Sequence, residues 1–214
     1  MQNIKTDWTQ YYENKKSFFS TYTQRYTTAI INKTIKDYVA HDKNGIMLCE
    51  FGGGNSCFAR NICSENDSLS KYDIVDNNEL AVSLFNKMNL DCEHHGILCN
   101  LLSPDCNTHL LYDFVYSIGL IEHFSGNDVA KIIDRHFEFC KPGGIVLISF
   151  PTPTKKYLLT RKVMEILGKW RFFDEIPLVY SEVKDTFKNQ GVILEHFVNK
   201  KLPLSQYVVI TKKT

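Results

Sequence analysis

Ile46-Met47-Leu48-Cys49-Glu50-Phe51-Gly52-Gly53-Gly54-Asn55-Ser56 is the stretch that decides the architecture of this chain. A short, mostly apolar run closed by glycines reads as a strand buried on both faces that enters a tight turn. Glycines let the backbone turn sharply and approach a ligand closely, and a helix that follows presents unpaired N–H groups nearby. Working downstream, 56–65 reads as a helix, 72–76 as a second strand, 79–88 as a helix and 93–99 as a weaker third strand. A fourth strand follows at 112–118, a helix at 129–140, a turn at Lys141-Pro142-Gly143-Gly144 and a fifth strand at 145–150. Strands alternating with helices predict a parallel sheet covered on both faces. The C-terminal part departs from this rhythm. A helix at 183–188 with Gly191 as its C-cap precedes strands at 192–198 and 207–211, joined by a short segment holding Pro203. A parallel crossover needs about a dozen residues or more, so the last two strands must pair antiparallel.

Upstream, Phe18, Phe19, Tyr22, Tyr26, Ile30, Ile31 and Ile35 recur at the spacing of amphipathic helices laid on a domain. The whole chain of 214 residues therefore reads as one α/β domain, 1–214, with an N-terminal helical lid over 1–40 and a cap insertion over 151–179. A net charge of +1 argues against a nucleic-acid partner, because phosphate backbones call for a strong basic bias. The seven cysteines are odd in number and include no CxxC pair, which predicts reduced thiols and a cytoplasmic setting. The polar N-terminal segment lacks the apolar core of a signal peptide, and no apolar run approaches the roughly 20 residues that span a membrane. Cys92, His94, His95, Cys99 and Cys106 cluster in sequence, yet neighbours on a strand point to opposite faces and the spacing of zinc ligands is absent, so no metal site is expected.

The glycine turn invites comparison with a dinucleotide fingerprint, GxGxxG. Gly52 and Gly54 fit its first two positions, but Cys57 takes the third. An acidic residue directly before the turn suits a cationic ligand group instead. The segment from Glu50 to Ser56 resembles motif I of the class I S-adenosylmethionine (SAM)-dependent methyltransferases, E/D-x-G-x-G-x-G, with Ser56 at the last glycine. Residues 112–124 resemble the family pattern D-x-V-x-S-x-x-x-x-E-H, and residues 141–144 the turn before strand five, so the resemblance spans roughly 46–150. It implies a Rossmann-like fold: a seven-stranded, mostly parallel sheet with a C-terminal antiparallel hairpin and helices on both faces. It also implies S-adenosyl-L-methionine as cofactor. By the same resemblance Glu50, Gly52, Gly53 and Gly54 face the methionine end, and Asp76, with Asn77, takes the ribose hydroxyls. Asn100, with Leu101, stands where relatives bind adenine, and Ser117 and Ile118 lie at the carboxyl end of the fourth strand. Trp8, Tyr11 and Tyr12 belong to a segment that covers the cofactor in similar enzymes, with Tyr12 the candidate for the methionine carboxylate.

His123 sits just past the fourth strand, on the rim where acceptors bind, and a histidine can take a proton from a hydroxyl or amine. It is the candidate catalytic residue, and Glu122 is read as structural. The cap carries Lys155, Lys156, Arg161, Lys162, Lys169 and Arg171 interleaved with Trp170, Phe172 and Phe173, which suits either an anionic acceptor or a solvated helix face. The expected activity is methyl transfer to oxygen or nitrogen of a small molecule such as a sugar, a sugar nucleotide or a phosphate-bearing glycan precursor. A methyltransferase acting on RNA or protein, a non-catalytic SAM-binding protein and a nicotinamide oxidoreductase remain the alternatives.

Overall fold

Strands β1 (Ile46–Phe51), β2 (Leu69–Asp76), β3 (Glu93–Leu98), β4 (Tyr112–Ile118), β5 (Cys140–Pro151), β6 (Gly191–Asn199) and β7 (Gln206–Lys213) form a seven-stranded sheet in the order β3-β2-β1-β4-β5-β7-β6. The first five pair in parallel, while β7 runs antiparallel to both β5 and β6. The strand order reverses between β1 and β4, and in doubly wound sheets ligands bind at that switch, beyond the carboxyl ends of the strands. The computed structural model describes residues 6–13, 18–40, 45–107, 110–201 and 204–214; Pro203, like the side chains of Phe18 and Phe19, lies outside the described part.

Alternation along each strand builds two cores. On one face Ile46, Leu48, Tyr72, Ile74, Phe114, Tyr116 and Leu147 pack under α2 (Phe18–Thr34) and the π-helical turn Ile35–Val39, with α3 (Ala59–Glu65) and α4 (Glu79–Asn86) completing the cover. On the other, Cys49, Phe51, Val75, Val115, Val146, Ile148 and Phe150 pack under α5 (Asn127–Phe139) and α7 (Tyr180–Gln190). The remaining helices, α1 (Trp8–Glu13) and α6 (Lys155–Ile166), stand over the carboxyl end of the sheet, where they contribute Tyr12 and Tyr157 to one cleft. Among the described residues no helix is long and apolar enough to cross a membrane.

Gly191 is the C-cap of α7, with an extended φ of 172°, and it also begins β6. Two expectations are corrected. The Lys141–Gly144 turn does not precede β5 but bulges within it, because the partner of β4 jumps from Cys140 to Ile145. The cysteines are not all reduced thiols: Cys63 pairs with Cys92 and Cys99 with Cys106. Cα separations of 5.9 and 5.6 Å lie within the disulfide range. Separations of 29 and 7 residues carry no pairing signal until the fold brings the sulfurs together.

Candidate active site

The turn after β1 is set by two glycines. Gly52 has φ 64° and Gly54 φ 54°, the left-handed region that disfavours any side chain, and a Cβ on Gly54 would overlap the Tyr12 ring. Ser56, at the last glycine position of the motif, serves the next helix. Its hydroxyl accepts from the N–H groups of Phe58 (3.2 Å) and Ala59 (3.1 Å), capping the start of α3.

Glu50 ends β1 on the same face as Tyr72 and Tyr116, and the three meet. The Tyr72 hydroxyl donates to Glu50 Oε2 at 2.6 Å, the two tyrosine hydroxyls bond each other, and the Ser56 hydroxyl lies 3.1 Å from that of Tyr72. Burial raises the Glu50 pKa, while the hydroxyls of Ser56, Tyr72 and Tyr116 oppose the shift by stabilising the anion. The tyrosines went unnoticed in the sequence. Nothing local marks them; the parallel register of β1 and β4 is what sets Tyr116 beside Glu50.

At the end of β2 the Asp76 carboxylate accepts from Gly54 N–H and Asn78 N–H, both at 2.8 Å. Burial raises its pKa, against which the amides of Asn78, Gly54 and Asn77 and the Tyr12 hydroxyl stabilise the anion. Tyr12 was expected at a carboxylate of the ligand; here its hydroxyl is bonded to Asp76. Asn100 folds back, with Oδ1 accepting from Leu102 N–H at 3.0 Å.

One cleft of about 390 Å³ gathers Tyr12, Glu50, Gly52, Gly53, Asp76, Asn77, Asn100, Leu101, Ile118 and His123. Gly54 supports it from behind through Asp76. Ser117 is not among the lining residues. It alternates with Tyr116, so its side chain enters the opposite core, where Oγ lies 2.9 Å from Nε2 of the fully buried His136.

His123 belongs to a short 3₁₀ turn, Ile121–His123, after β4. Its Nδ1 lies 3.0 Å from Oδ1 of Asp174, and the Trp8 ring packs edge-on against it at 5.0 Å. Burial lowers the His123 pKa, and Asp174 opposes that. For Asp174 itself burial alone would raise the pKa, but the Thr6 hydroxyl and His123 outweigh it and hold the carboxyl below its ordinary value. Sequence reasoning missed this partnership, which spans 51 residues.

Glu122, read from the sequence as structural, is 2% exposed, and its Oε2 has no hydrogen-bond partner among the described residues. Burial pushes its pKa well above the usual carboxylate range, and Glu175 and Asp174 add to the rise. The basic side chains of the cap do not reach the cleft: its lining includes Glu50, Asp76, Glu122 and Glu175 but no lysine or arginine among the described residues. Arg161 instead bonds Glu165 at 2.9 Å and the Glu175 carbonyl at 3.0 Å, and lies over Trp170.

Residues 22–190 match the family described as "Methyltransferase domain". No curated protein matches the chain. Among solved structures it is similar to the magnesium protoporphyrin IX methyltransferase of Synechocystis with bound SAH, with TM-score 0.71, 12% identity, and 97% of this chain and 93% of the other covered. It is also similar to the N-methyltransferase NodS of Bradyrhizobium japonicum in complex with SAH, with TM-score 0.60, 9% identity and 86% of each chain covered. A third is the 1,6-didemethyltoxoflavin-N1-methyltransferase of Burkholderia thailandensis, with TM-score 0.62, 13% identity, and 89% of this chain and 78% of that one covered.

Proposed function

The chain belongs to the methyltransferase-domain family, the class I SAM-dependent enzymes, and on that premise we propose that it methylates an oxygen or nitrogen of a small-molecule acceptor, with His123 as the base. The observation that carries the reading is one cleft lined by chemically distinct groups: Glu50 and Asp76 beside the glycine turn, and His123, which Asp174 backs from outside the lining.

The residues present fit the cofactor. A buried Glu50 carboxylate suits an ammonium group, and Asp76 suits ribose hydroxyls, which would take the place of the Tyr12 hydroxyl there. Asn77 lines the cleft beside Asp76, Asn100 and Leu101 line the stretch assigned to adenine, and Gly52, Gly53 and Ile118 line it as well. SAM supplies a methyl already activated by its positive sulfur. The protein's part is then to align an acceptor and to remove its proton.

Asp174 suits the second task. By accepting from Nδ1–H of a neutral His123 ring it fixes the tautomer and leaves Nε2 as the basic nitrogen. Nε2 takes the acceptor proton, and Asp174 stabilises the resulting imidazolium. We assign Glu122 an acceptor-side contact, because a buried carboxyl oxygen without a partner among the described residues calls for a hydrogen-bonding group. Among the described residues the lining holds carboxylates and no lysine or arginine, which favours an amine or hydroxyl acceptor over a phosphorylated one. In this reading α1 is the lid and 151–179 the cap.

The test is a screen of matched amine, hydroxyl and phosphate-ester compounds for SAH release, alongside calorimetric titration with SAM. Failure of SAM to bind would remove the reading. Binding without release for any acceptor would leave a SAM-binding protein in its place.

A further inference from the structure

α6 turns its inner side to the protein and a mixed apolar and basic side to solvent. Tyr157 is fully buried and lines the cleft, and Arg161 holds the helix down through the Glu175 carbonyl. On the outer side Lys155, Leu159, Lys162 and Ile166 follow one another at steps of four, three and four, the spacing of a single helix face. Leu159 is 66% and Ile166 75% exposed, with Leu158, Val163 and Leu167 also exposed beside them. So many large aliphatic side chains on one short helix form a contiguous apolar surface of the kind that marks an interaction site.

The charge of this surface says what covers it. The apolar face itself carries Lys155 and Lys162, with Lys156 on its flank and Lys169 just past the helix, and the one acidic residue of the helix is Glu165. Glu165 is moreover paired with Arg161. Lysines beside exposed leucine and isoleucine suit a boundary that is apolar on one side and anionic on the other: the aliphatic groups enter the acyl layer while the lysine stems extend to the phosphates. A soluble acidic partner would satisfy the lysines but not the aliphatic groups, and a second copy of this helix would bring like charges together.

We propose that the outer face of α6 docks the protein on an anionic lipid surface. Tyr157, on the inner side of the same helix, lines the cleft, so docking would hold the α6 wall of the cleft next to the membrane.

The experiment uses the full chain and vesicles of phosphatidylcholine with and without phosphatidylglycerol. Sedimentation with the anionic vesicles should exceed that with the neutral ones and should weaken as salt is raised. Leu159→Ser with Ile166→Ser, and separately Lys155→Glu with Lys162→Glu, should each weaken vesicle binding about tenfold or more. SAM affinity should be unchanged in both pairs, which checks their folding and keeps this outcome separate from the activity assigned above. Absence of binding to anionic vesicles overturns the proposal. So does binding that neither pair of substitutions reduces. A concentration-dependent dimer in light scattering that the serine pair abolishes also overturns it, since the face would then join two copies.

Discussion

The Asp76 carboxylate organises its own turn as well as any ligand. Two loop amides and the Tyr12 hydroxyl converge on it, so Asp76→Ala should weaken SAM binding by about 1.5–3 kcal/mol in calorimetry, the scale for a charged hydrogen-bonding partner. His123 is open to a kinetic test. His123→Ala should lower kcat on the order of 10²–10⁴-fold with SAM affinity intact, and Asp174→Asn should lower it less. Because burial lowers the His123 pKa, kcat/KM should rise with pH through an inflection below the ordinary histidine value of about 6.5, and the mutant should lack it. An inflection above that value would assign the proton to another group. Glu122→Gln should raise the acceptor KM and leave SAM affinity alone, and unchanged KM would return Glu122 to a purely structural role. The place of Glu50, Asp76 and His123 around one cleft was legible in the sequence because each stands at or just beyond a strand end. Asp174, Tyr72 and Tyr116 were not, since nothing local to them announces a partner that only the folded sheet and cap supply.

β4 shows how an element decides between neighbours. Tyr116 and Ser117 are adjacent, yet alternation sends one to the Glu50 cluster and the other to His136 under α5. Ser117→Ala should therefore leave SAM affinity unchanged and lower stability by about 1–3 kcal/mol in denaturant titration, the cost of a buried nitrogen left without its donor. His136 itself gives stability a pH dependence. Burial lowers its pKa to about 4 in the folded protein, so between about 6.5 and 4 the unfolded chain binds a proton that the folded one refuses. Its contribution is complete above the upper value and is lost as pH falls through that window, on the order of 3 kcal/mol in all. His136→Gln should flatten that part of the stability curve. The strands and most helices were legible because short apolar runs between turn residues leave few alternatives. The bulge at 141–144 was not: a pair of glycines marks a change of direction without saying whether a strand begins there or is only interrupted.

At the scale of the molecule, the glycine turn, the cap and α1 converge on the carboxyl end of the sheet, and α1 touches both ends of the cleft. Thr6, just before it, bonds Asp174 in the cap; Trp8 packs on His123; the Thr9 hydroxyl accepts from Asn78 at 2.9 Å; and Tyr12 rests on Gly54 and Asp76. A helix of six residues has little room to bend, so a ligand that leaves past it should free these contacts together. The consequence lies in the timing of turnover. On the function proposed above, SAH should be held until α1 lifts, and its dissociation should set the pace of successive cycles. Trp8→Ala, which loosens one end, should speed SAH dissociation in stopped-flow measurements and turn a rapid first turnover followed by a slower steady rate into a single uniform phase.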